Sequence, residues 1–239
     1  MKLYENITIG NFLFSLGYSI RDSQRDSNEA AVGSVNLLQQ TPADQLLGDV
    51  LLDFSGVVRL LEFKAEGADL KKERGKHTGL KKIIDDMGLS DVSREVHWYV
   101  ETKATPDTLA LLTVPYLDAF PRNLQLRNGR LEDLVQSTAQ AIATQQTNFT
   151  GAQIKQYLLA IKTVSGKAAS GSGGLLLLAE PGGGLKFAPL EDMLELNLRH
   201  RDWVLERVAH TERSHELMLQ KMHEKELSKQ MKLERGMGQ

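Results

Sequence analysis

Asp49, Glu62 and Lys64 are the residues whose types and spacing could do chemistry. They lie in the stretch Gly48-Asp49-Val50-Leu51-Leu52-Asp53-Phe54-Ser55-Gly56-Val57-Val58-Arg59-Leu60-Leu61-Glu62-Phe63-Lys64. This reads as two apolar strands turned at Ser55-Gly56, and a two-residue turn fixes the register. Residue 54 then opposes 57, 53 opposes 58, and the count runs back to 49 opposite 62. Asp49 and Glu62 share one face, with side chains about 5 Å apart, and Lys64, two residues on, points to the same face. Such a cluster among Val, Leu and Phe is costly to bury unless something offsets it. A divalent metal ion held against a phosphate is a natural offset. Phosphodiester hydrolysis needs a metal-activated water, positive charge around the transition state and a stabilised leaving oxygen. Mg²⁺ takes hard oxygen ligands, one or two of them carboxylates, and keeps several waters. Asp49 and Glu62 supply the carboxylates, and the Phe63 carbonyl a backbone ligand. The Lys64 amine could orient or deprotonate the attacking water and offset charge at the phosphate. A metal and two carboxylates pull its pKa in opposite directions, so its protonation stays open at this level. Asp53 falls on the same face nearer the turn and reads as solvated.

The elements that position these groups follow from the hydrophobic spacing. Ile9, Phe12, Leu13 and Leu16 predict a helix over 8–20, and Ala31, Val35 and Leu38 predict a second over 22–40, ended by Thr41-Pro42. The hairpin is apolar on both faces, as in a central sheet covered on both sides. A basic helix is expected over 68–86, strands over 95–101 and 109–114, and helices near 130–146 and 151–163. Residues 165–174 read as a loop, 175–180 and 185–188 as a late hairpin, and the chain as helical from Pro189. His200, His210, His215 and His223 in that last segment lack the spacing of a helical metal clamp and read as a solvated face.

At Asp49, the twelve-residue spacer and Glu62-Phe63-Lys64, the chain resembles the PD-(D/E)XK nuclease superfamily. The order helix, two strands, helix, strand over residues 22–115 is similar to that family's core. Gly48 stands where a proline often precedes the Asp. The resemblance implies an α/β fold, with a restriction-endonuclease-like mixed sheet flanked by helices and a mainly helical C-terminal extension. It implies a Mg²⁺-dependent nuclease acting on DNA, with Mn²⁺ able to substitute, within a prokaryotic restriction or antiviral defence system. Many members carry an acid on the helix before the sheet, and Glu29 is the candidate here. The helix after the Glu-x-Lys strand meets the nucleic-acid backbone in this family, which points to Lys72, Lys76 and His77 on one phosphate-facing side. Such contacts position substrate without reading its sequence.

Composition bounds the rest. The 239 residues are 41% hydrophobic with a net charge of −2, so a core is well supplied and no global basic coat is present. Cysteine is absent, which excludes disulfides and thiolate zinc sites. No apolar run reaches membrane-spanning length and the N-terminal residues lack the long apolar core of a signal peptide, so a cytoplasmic protein without membrane contact is expected. The expected organisation is a nuclease core over 1–120, helices and a small hairpin over 121–209, and a charged helical tail over 210–239. The tail is where contact with other proteins of a multi-component system, or homo-oligomerisation, is expected. The rival readings are an inactive nuclease-fold module that binds nucleic acid or a partner, and a scaffold organised by the C-terminal helix.

Overall fold

The hairpin forms with the expected register. In a computed structural model of the chain, strands β2 (Val50–Phe54) and β3 (Val57–Ala65) pair antiparallel, with Phe54 opposite Val57 and Val50 opposite Leu61. The Asp49 N–H donates to the Leu61 carbonyl at 3.0 Å, carrying the ladder one residue beyond β2. The structure describes residues 3–24, 31–37, 48–54, 57–107, 109–121, 129–145, 147–164, 174–179, 184–190 and 201–236.

β1 (Ala31–Leu37) pairs antiparallel with β2. The expected helix over 22–40 is therefore corrected at 31–37. The spacing of Ala31 and Val35 fits a helix, but Val32, Gly33 and Ser34 are buried together between β2 and β6, so pairing on both edges decides the conformation. β3 leads through helices α2 (Lys71–Asp86) and α3 (Ser90–Val96) to β4 (His97–Ala104), which pairs parallel with β3. Glu95 and Val96 thus end a helix and lie outside the strand. β5 (Leu109–Pro115) follows, then a 3₁₀ turn over Tyr116–Asp118 and helices α4 (Leu131–Thr144) and α5 (Gly151–Val164). The late hairpin, β6 (Gly174–Ala179) and β7 (Leu185–Leu190), joins the main sheet beside β1, and Pro189 and Leu190 are strand residues, not the start of a helix. The sheet is seven-stranded and mixed, in the order β5-β4-β3-β2-β1-β6-β7.

Alternation along β2 and β3 sends side chains to two separate cores. Val50, Leu52, Leu61 and Phe63 pack with Ile9, Phe12, Leu16 and Ile20 of α1 (Glu5–Ser23) and with Val135, Ala139 and Ile142 of α4. Leu51, Val58 and Leu60 pack with Leu80 and Ile84 of α2, Val92 and Val96 of α3, and Ile154, Tyr157 and Ile161 of α5. Each fully buried side chain of this size contributes about 1.5–3 kcal/mol. The protein is thus an α/β sheet covered on both faces. The α2 face is also the face of Asp49, Glu62 and Lys64.

A second compact unit, His200–Gln239, contains the helix α6 (Arg201–Gly236). Among the described residues no helix is long and apolar enough to cross a membrane.

Candidate active site

Gly48 opens the site with φ at +123°, a conformation closed to proline and strained for any L side chain. A Cβ there would lie 3.2 Å from the Leu61 carbonyl oxygen and 3.3 Å from Glu62 Oε2. The absence of a proline before Asp49 therefore has a local cause, the positive φ at residue 48.

Asp49, Glu62 and Lys64 converge as expected. The Phe63 N–H donates to Asp49 Oδ2 at 2.6 Å, which fixes that carboxylate across the hairpin. The Lys64 ammonium donates to Glu62 Oε1 and to the Phe63 carbonyl at 2.9 Å, and stands 3.8 Å from Asp49 Oδ2. A third acid joins them. Glu73 of α2 brings Oε2 to 4.0 Å from Lys64 Nζ and 3.7 Å from Lys76 Nζ, and its Oε1 accepts the Tyr116 hydroxyl. Glu101 is a fourth: it is buried, neighbours Lys64 in the parallel ladder and accepts the Tyr99 hydroxyl at 3.0 Å.

The charges set the protonation of the cluster. Burial, then the neighbouring Asp49 carboxylate, pushes Glu62 up to about 8. Burial works against the Lys64 ammonium, but Glu62 and then Asp49 outweigh it and hold the pKa above the ordinary lysine value. The Asp49 carboxylate acts on both groups, adding to burial at Glu62 and opposing it at Lys64. Burial also opposes the Glu73 carboxylate, yet Lys76 and the Tyr116 hydroxyl keep its pKa below the usual range.

Other expected residues fall elsewhere. Glu29 lies outside the described residues. The described helix before the sheet is α1, and its acid Glu5 accepts the Ala65 N–H at 3.1 Å, steadying β3 next to Lys64. Lys72 is exposed and Lys76 half-buried on one shoulder of α2, but His77 does not share their side. It is buried between the Tyr116 and Phe120 rings, with Nε2 2.9 Å from the Leu117 carbonyl, because it continues the inner stripe Glu73, His77, Leu80, Ile84. Asp53 is not solvated: it is only 5% exposed and its carboxyl pKa is raised well above the ordinary value by burial. Asp53 lies between β1 and β3, opposite Ser34 and Val58, so distance from the turn is no measure of solvent access.

Sequence reasoning misses Glu73 and Glu101. Glu73 has a readable signal, an acid at the head of an otherwise inward stripe. Glu101 has none, because a Glu in an apolar strand does not announce its parallel neighbour.

The donor set has the chemistry a hard cation takes: two carboxyl groups and a backbone carbonyl, around a point an ammonium already approaches. Among the described residues no three acids or imidazoles close on one point as a formed metal cage; Asp49, Glu62 and the Phe63 carbonyl are the groups that could hold an ion there. Comparison with protein-family models, curated proteins and solved structures gives no match.

Proposed function

We propose that the chain is a metal-dependent nuclease of restriction-endonuclease-like type that hydrolyses phosphodiester bonds of DNA. One observation carries the reading: Asp49, Glu62 and Lys64 meet on one buried sheet face, with Asp49 held by the Phe63 N–H at 2.6 Å. Asp49, Glu62 and the Phe63 carbonyl would hold Mg²⁺ or Mn²⁺. Bound there, such an ion supplies Lewis acidity and an acidified water. Lys64 places an ammonium against the phosphate and orients the attacking water. Glu73, held by Tyr116 and Lys76, keeps Lys64 between the two sheet carboxylates. Lys72, exposed on the outer shoulder of α2, would meet the backbone.

A nucleic-acid-binding module without cleavage is the second reading. It is favoured by the Lys64 ammonium, which already bonds Glu62 and Phe63 where a metal would sit. Plasmid DNA incubated with the protein and Mg²⁺ or Mn²⁺ separates the two. Cleavage is expected, and Asp49→Ala and Lys64→Ala should each lower it on the order of a hundredfold or more. Cleavage surviving both substitutions removes the site assignment, and binding without cleavage under either metal selects the second reading.

A further inference from the structure

Helix α2 carries three stripes at helical spacing. The inner one, Glu73, His77, Leu80 and Ile84, is buried, and Lys72 and Lys76 flank it toward the candidate site. Arg74, Thr78, Lys81 and Asp85 run along the opposite shoulder. With Lys82, Phe120 and Pro121 they line a groove of about 630 Å³. Its charges differ from those at the site. Lys64 and Lys76 are engaged by carboxylates, whereas Arg74, Lys81 and Lys82 are exposed and none has an acidic partner among the described residues. The one acid there, Asp85, accepts the Ser90 hydroxyl at 2.8 Å. The floor is aromatic: Phe120 is fixed by edge-to-face contacts with His77, ring centroids 5.2 Å apart, and with Tyr99, 5.7 Å apart.

We propose that this groove binds an unpaired strand of the polynucleotide, with Arg74, Lys81 and Lys82 on successive phosphates and Phe120 under a base. The proposal rests on the phosphodiester reading of the neighbouring site. Arg74 and Lys81 are seven residues apart, about 10 Å along the helix, so the cations can follow the backbone of one strand past a single phosphate. An aromatic floor beneath cations suits exposed base faces, which a duplex hides. An acidic peptide would satisfy the cations but leave the ring without a partner.

The test is fluorescence anisotropy of a labelled single-stranded oligothymidylate, in EDTA so that no cleavage is needed. The triple variant Arg74→Ala, Lys81→Ala, Lys82→Ala should bind at least tenfold more weakly. Its slope of log K against log salt should be shallower by about 2, for three phosphate contacts at about 0.7 each. Phe120→Leu should erase the preference for oligothymidylate over an abasic oligomer of equal length. Unchanged binding by the triple variant overturns the proposal, and so does poly-glutamate binding wild type as tightly as the oligonucleotide. Because the measurement is metal-free, an uncut plasmid with intact groove binding refutes the nuclease reading and leaves the groove standing.

Discussion

His97 shows how a single buried ring ties stability to pH. It stacks on Tyr116 with ring centroids 4.1 Å apart and places Nδ1 2.9 Å from the Tyr157 hydroxyl. Ser93 donates to that same hydroxyl at 3.0 Å, and the ring's other nitrogen is Nε2. That nitrogen has no hydrogen-bond partner among the described residues. Burial, then the nearby Lys76 and His77, lowers the His97 pKa to about 3, against 6.5 unperturbed. Between these values the unfolded chain binds the extra proton, so the contribution is complete above pH 6.5 and is lost as pH falls toward 3. From pH 6.5 to 5 the loss is about 2 kcal/mol. Asp53 has the opposite sign: its raised pKa makes the folded state lose stability as pH rises above the ordinary carboxylate value. Urea midpoints at pH 5 and 7 separate the two, since His97→Phe retains the stack on Tyr116 and removes only the first dependence. The variant should lose about 2 kcal/mol less on acidification, and an equal loss in both proteins would refute the assignment.

Two glycines on separate elements respond in opposite directions to the same added methyl. Gly33 of β1 faces Phe54, and a Cβ there would stand 2.4 Å from Phe54 Cδ1 and 2.6 Å from the Asp53 carbonyl oxygen. That oxygen belongs to the strand backbone and cannot swing aside, so Gly33→Ala should destabilise the protein by about 3 kcal/mol. Gly75 lies within α2, where a Cβ would meet nothing within 4 Å, so Gly75→Ala should stabilise it by about 0.5–1 kcal/mol. Urea titration of both variants measures the contrast, and equal signs would place β1 wrongly. Strand β1 also marks where the chain stops being legible. β2 and β3 can be read with their register because they are adjacent, alternate with period two and share a two-residue turn. The convergence of Asp49, Glu62 and Lys64 comes with that register. β1 takes its conformation from β2 and from β6, whose Ala179 pairs with Ala31, and such distant pairing leaves no local pattern. Glu73 is hidden similarly, since its meaning lies in Lys64 and Tyr116, on other elements. The swing of His77 inward, by contrast, follows from its four-residue spacing from Glu73 once that stripe is known to be buried.

The two units of the molecule differ in what holds them. The sheet unit, residues 1–199, is packed on both faces, whereas every described residue of α6 from Arg213 to Ser228 is exposed. At 36 residues this helix is about 54 Å long. Along it Leu217, Met218, Leu219, Met222 and Leu227 are 44–56% exposed. Helices draw most of their stability from packing an apolar face, and clustered exposed apolar residues mark contact surfaces. Val208, nearer the start of α6, is buried at 2% exposure, so a cut at residue 210 separates the exposed stretch from the buried one. Deleting residues 210–239 should leave the unfolding midpoint of the sheet unit unchanged. Light scattering at matched concentrations should find the full chain self-associated and the shortened chain monomeric. A full chain that is already monomeric would take self-association away from α6, and a shortened chain that no longer unfolds cooperatively would show that the sheet depends on the helix.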